Sequence, residues 1–91
     1  MAEICVSKKD DNTFEVTVKA DRTTIHTVSL NEPYYQKITG GKGTREGLIQ
    51  TSFEFLLERE SNSTILSQFD LPEIGRYFPE YERTIRSRLG L

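Results

Sequence analysis

Thr44–Glu60, TREGLIQTSFEFLLERE, is the stretch on which the reading of the whole chain turns. At 100° per residue, Leu48, Ile49, Ser52, Phe53, Phe55, Leu56 and Leu57 fall on one arc of roughly 200°. A helix packed on a single surface needs an apolar stripe only a little wider than about 100°. The spacing therefore predicts a helix over 44–60 that is buried on two sides. Glu54 and Glu58, four residues apart, mark the flank that faces water. Thr44 is placed as an N-cap, and Glu46 brings negative charge to the first turn, near the positive end of the helix dipole. Gly47 costs about 1 kcal/mol against alanine and weakens that first turn only.

Upstream, residues 1–30 read as three short strands. Ile4 and Val6 alternate with Cys5 and Ser7, and Lys8–Asn12 supplies a polar turn. Phe14, Val16 and Val18 share one face, with Thr13, Glu15, Thr17 and Lys19 on the other, a period-two pattern rich in β-formers. Ala20-Asp21-Arg22 makes a second turn. Along Thr23–Leu30, Ile25 takes one parity while Val28 and Leu30 take the other, which predicts a bulge or burial on both faces. Links this short favour an antiparallel meander. In the connection 31–43, NEPYYQKITGGKG, Tyr34, Tyr35 and Ile38 are expected either to form a short fourth strand or to line the edge of the core. Gly40, Gly41 and Gly43 give the chain freedom just before the main helix.

Downstream, Ser61-Asn62-Ser63 ends that helix, and a second one is expected from Ser63, using Ile65, Leu66 and Phe69. Asp70-Leu71-Pro72-Glu73 has the spacing of a capping box with proline in the first turn. Pro79 breaks that run, and Tyr81, Ile85 and Leu89 form the stripe of a last helix stopped by Gly90. Phe69, Ile74, Tyr77, Phe78 and Tyr81 are available to cover the second side of the main helix. Strands first and helices after predict an α+β fold, with an antiparallel sheet covered on one face by the main helix. The organisation expected is a single domain over 1–91: strands in 1–30, the main helix at 44–60, and two or three short helices in 63–90.

Ninety-one residues, 35% hydrophobic and 29% charged, suit one modest core and no more. A net charge of −2 argues against a general attraction to nucleic acid or anionic membranes. Cys5 is the lone cysteine, so no internal disulfide forms and a reducing compartment fits. No apolar run nears the ~20 residues of a membrane span, and MAEICVSKKDD lacks the layout of a secretory leader. A cytoplasmic protein is the expectation.

Chemistry is sparse in this sequence. Gly41, Lys42, Gly43, Thr44 and Arg45 precede or open a helix, where backbone N–H groups, the dipole and a lysine favour a phosphate or carboxylate. A P-loop is excluded, because Gly43 follows Lys42 and Gln36 stands where its first glycine belongs. The bland reading is a flexible loop with an ordinary cap. Arg76, Arg83, Arg86 and Arg88 offer contacts for nucleic acid or an acidic partner; the plainer account is a helix C-terminus complemented by cations. Cys5 and His26 are the one conceivable nucleophile–base pair, with no third orienting group, and the expectation is a packed cysteine and a partly exposed strand histidine. One histidine and one cysteine cannot supply a zinc site. No catalytic residue, metal or cofactor is expected.

Two resemblances add to this. Gly47-Leu48, Ser52-Phe-Glu-Phe-Leu-Leu-Glu-Arg-Glu60, Phe69-Asp-Leu71 and Tyr77-Phe-Pro-Glu-Tyr-Glu82 together resemble a family of small bacterial proteins without an assigned function. That resemblance covers residues 38–89 and implies no activity, cofactor or site residue. A strand meander followed by Gly43-Thr44-Arg45-Glu46 and an apolar helix is similar to the HicB-type antitoxin arrangement. The Phe-Pro-Asp-Leu-Pro-type segment of that arrangement is absent here, and two further helical pieces follow the helix. The expectation is a non-catalytic interaction or regulatory protein, acting through a protein partner or as a homodimer. An anion or nucleic-acid binder and a HicB-like antitoxin are the alternatives.

Overall fold

The computed structural model describes residues 2–91 and begins with an antiparallel meander of β1 (Glu3–Lys8), β2 (Thr13–Lys19) and β3 (Thr23–Ser29). The period-two pattern sorts its faces. Phe14, Val16 and Val18 are fully buried, each contributing about 1.5–3 kcal/mol by leaving water, and Ile4 and Val6 of β1 pack against the same core. Val28 and Leu30, also fully buried, fix the parity of β3. Their alternation turns His26 inward, at 2% exposure, and Ile25 outward, at 56%. Pairing runs unbroken from Thr13↔Ser29 to Lys19↔Thr23, so the expected bulge is replaced by one exposed isoleucine. The expectations for Cys5 and His26 are thereby reversed: Cys5 is exposed on the outer face because Ile4 and Val6 claim the inner one.

Residues 32–39 form a helix, α1 (Glu32–Thr39), in place of the fourth strand considered for Tyr34–Ile38. Asn31 Oδ1 accepts from the Tyr34 N–H at 2.9 Å, Pro33 occupies the tolerant first turn, and Gly40 ends the helix at φ +65°. These two termini override the β preference of the tyrosine pair. Helical spacing then brings Tyr34, Tyr35 and Ile38 to the edge of the core, where all three are buried.

The main helix, α2 (Arg45–Leu57), lies inside the expected bounds. Thr44 Oγ1 accepts from the Gly47 N–H at 2.9 Å. A Cβ on Gly47 would sit 3.1 Å from that same oxygen, so the glycine makes room for the cap. Phe53 faces the sheet, its ring 5.4 Å from His26 and 6.1 Å from Phe69. Phe55 faces the other way, 5.8 Å from Phe78 and 5.4 Å from Tyr81, the first residue of the last helix, α4 (Tyr81–Arg88). That helix is numbered after α3 (Ile74–Tyr77), a single turn. Ser52 Oγ donates to the Leu48 carbonyl at 2.8 Å, which leaves the Tyr81 hydroxyl to donate to Ser52 across 2.7 Å. The arc of α2 is thus covered within the chain, by the sheet on one side and the C-terminal helices on the other.

Between α2 and α3 the expected helix at Ser63 is replaced by a 3-10 turn (Asn62–Thr64) and a fourth strand, β4 (Gln68–Asp70). β4 pairs with β3 in parallel through Val28↔Phe69, so the sheet is mixed, in the order β1-β2-β3-β4. The cause is a set of long-range polar contacts that a local helical pattern cannot register. Asn62 Nδ2 donates to the Arg22 carbonyl and to Thr24 Oγ1, both at 2.9 Å, fastening the turn to the β2–β3 hairpin. Glu73 accepts from the Asp70 N–H at 2.9 Å, as the capping-box spacing predicts. Gly90, at φ +79°, closes α4. No helix among the described residues is long and apolar enough to cross a membrane.

Candidate functional site

The glycine-rich segment spends much of its polar capacity internally. The Tyr35 hydroxyl donates to the Gly43 carbonyl, and Thr44 Oγ1 is occupied by the Gly47 N–H. Arg45 pairs with Glu32, donates to the Asp11 carbonyl at 2.6 Å and lies 5.5 Å over the Tyr35 ring. Gly41 and Lys42 are exposed, and Lys42 makes no ion pair among the described residues.

The C-terminal arginines do not converge. Arg86 donates to the Ile38 carbonyl at 2.7 Å and so caps the end of α1. Arg88 pairs with Glu58 at 2.6 Å, just past the end of α2, and holds that carboxyl below its usual range. Arg45 stands at the opposite end of α2, and a helix of 13 residues is about 20 Å long. Arg76 and Arg83 are exposed and unpaired among the described residues.

Cys5 and His26 lie on opposite faces of the sheet, with β2 between their strands. Both histidine nitrogens are engaged. Nδ1 contacts the Leu66 carbonyl at 2.7 Å, which only accepts, so Nδ1 carries the proton. Nε2 accepts from the Thr24 hydroxyl at 2.8 Å, and that oxygen in turn accepts from Asn62. Among the described residues no buried side-chain polar atom is without a partner, and no cluster of three or more His, Cys, Asp or Glu is grouped for a metal. Burial pushes the Tyr81 phenol well above its ordinary range. Burial does the same to Tyr34, with Tyr81 and the Glu82 carboxylate adding to it, and keeps both hydroxyls as donors.

A groove of about 400 Å³ lies at the C-terminal end of α2. Buried Leu56, Ile65, Phe69 and Ile74 form its floor. Among the described residues four large hydrophobic side chains are exposed, and two of them flank this groove: Leu66 at 50% and Tyr77 at 68%. Their placement follows from local geometry. Ile65 is turned into the core, so its extended-chain neighbour Leu66 points out. Ile74 and Phe78, four apart, take the inner side of the α3 turn, which leaves Tyr77 outside. The relay Asn62–Thr24–His26 holds the Leu66 wall against the sheet. Glu60, Thr64, Glu73 and Phe78 complete the lining, and no lysine or arginine takes part in it.

No protein-family model, curated protein or solved structure matches the chain. The two resemblances therefore stand on the residues quoted for them. The sequence offers Phe69, Ile74, Tyr77, Phe78 and Tyr81 as cover for α2, and what it does not signal is that Tyr77 faces out. Pro79 is the available clue, since it stops the run just after α3 and leaves a single turn that cannot bury all its aromatics.

Proposed function

We propose that this chain is a small non-catalytic interaction protein whose docking surface is the groove between the end of α2, β4 and α3. The observation that carries the reading is the pairing of exposed Leu66 and Tyr77 over a floor of buried apolar side chains. Two exposed hydrophobic side chains lining one groove favour an interaction site more than the same residues scattered singly, which is ordinary. A volume of about 400 Å³ falls in the range of roughly 300–1,000 Å³ typical of ligand sites. The engagement of both His26 nitrogens, on the face opposite Cys5, takes support from an enzyme built on those two residues.

The anion-binding alternative draws less support. Its arginines are committed to carbonyls and carboxylates at separate helix ends, leaving Lys42, Arg76 and Arg83 as dispersed single charges. The antitoxin-like alternative rests on strand order and the Thr44 turn, and here α1 stands between them.

A fragment screen by amide-resonance perturbation tests the reading. Small apolar fragments should shift Leu66, Phe69 and Tyr77 before any other cluster. If no fragment does so at millimolar concentration, and the chain sediments as a monomer throughout, the groove is not a docking site.

A further inference from the structure

We propose that the occupant of this groove is a basic amphipathic helix of a protein partner, its apolar anchors seated between Leu66 and Tyr77 and its lysines or arginines paired with Glu60 and Glu73. The inference rests on the groove being a docking site and adds the chemistry of the partner.

Charge carries the argument. The two lining residues that carry charge at neutral pH, Glu60 and Glu73, are both carboxylates. Glu60 has no ion pair among the described residues. Glu73 uses one oxygen for the Asp70 N–H and leaves the other available. Arg59 lies behind the wall, 5.9 Å from the Phe78 ring. It is already stacked on Phe55 at 3.6 Å and paired with Glu58 and Glu80. Arg76 is exposed on α3 and lies outside the lining. A carboxylate beside an apolar floor is screened less than one in open water, so it rewards a cation brought by the ligand.

The form of the ligand follows from the walls. A peptide bound by strand addition needs a strand edge to pair with, and β4 is three residues long with its Asp70 N–H already taken by Glu73. A helix needs no backbone partner. It places apolar anchors at i, i+3 and i+4 along one face, with cations on its flanks.

The test uses the intact 91-residue chain, isotope-labelled, titrated with a synthetic Leu/Lys amphipathic helix and a Leu/Glu counterpart of identical pattern. The Leu/Lys peptide should shift Leu66, Phe69, Glu73 and Tyr77, lose affinity as salt rises, and bind about tenfold more tightly than the Leu/Glu peptide. Leu66→Ser should weaken it by about tenfold, and Glu60→Gln combined with Glu73→Gln should bring the two peptides level. Leu66 is exposed and Glu73→Gln keeps an acceptor for Asp70, so these variants fold. Equal binding of both peptides in the groove overturns the charge assignment and leaves the docking site standing. Shifts confined to another acidic surface, or a groove closed by a second copy of the chain, overturn the proposal. Silence from both peptides while apolar fragments still shift the groove rejects the basic helix alone; silence from peptides and fragments together rejects both readings.

Discussion

At the N-terminal end of α2, Gly43, Thr44 and Arg45 are met by Tyr35, Gly47 and Glu32 of the same chain. At its C-terminal end, Leu66 and Tyr77 stand largely in solvent over an apolar floor. The first end carries the marks usually associated with a site, glycines, a lysine and a helix dipole, and folds them inward as a cap. The second carries no motif, and it is open. Short polar signals advertise themselves in a sequence because their partners lie close by. The groove lies within residues 56–78, but which of its side chains face outward depends on where the 3-10 turn, β4 and α3 begin and end, and no short motif states that.

Phe55→Ala should have the largest effect on this contrast. It removes the ring that Arg59, Phe78 and Tyr81 pack around, and a fully buried phenylalanine truncated to alanine costs about 3–5 kcal/mol. Urea unfolding should show a midpoint lowered accordingly. A loss under 1 kcal/mol would mean that the back of the groove is not anchored on α2. His26→Phe keeps the bulk but strips partners from the Leu66 carbonyl and Thr24. About 1–3 kcal/mol should go, with hydrogen exchange accelerated from Ile65 to Phe69 and unchanged around Thr44. Thr44→Ala is the mirror experiment. It should cost about 1 kcal/mol and leave fragment binding in the groove untouched.

The buried phenols set a pH dependence with a definite sign. Tyr81 and Tyr34 are both raised above the ordinary value near 10, so the folded state resists their ionisation while the unfolded state does not. Their contribution is complete below about pH 10 and is lost as pH climbs through the tyrosine range and beyond. Tyr81→Phe, costing about 1 kcal/mol at neutral pH through the lost bond to Ser52, should flatten that alkaline decline. An unchanged slope would place the sensitivity elsewhere. The smallest stability effect belongs to the open end: Leu66→Ser and Tyr77→Ser should each stay within about 0.5 kcal/mol of the parent by thermal unfolding.

Legibility followed the range of the interactions. The β2 face, the main helix, its Thr44 cap and the Asp70–Glu73 box were readable because each is a local pattern. Asn31, Pro33 and Gly40 were equally local signals of α1, outweighed in the reading by two tyrosines that favour strands. β4 was not readable, since its three residues are a strand only by pairing with β3, some 40 residues away in sequence. The inward turn of His26 followed from Val28 and Leu30, and becomes evident once their burial outranks that of Ile25. In the groove the residues were identified as apolar cover, but the outward direction of Tyr77 depends on where α3 stops.

Asn62 has a consequence for how this chain can be produced. Asn62-Ser63-Thr64 has the spacing at which asparagine amides accept an N-linked glycan in secreted proteins. Here both amide hydrogens are committed to Arg22 and Thr24, and the residue is 5% exposed. A sugar at that nitrogen and the attachment of the 3-10 turn to the sheet are mutually exclusive. In a glycosylating host, the chain either completes its hairpin before the transferase reaches Asn62 or carries a modification that its native fold has no space to hold.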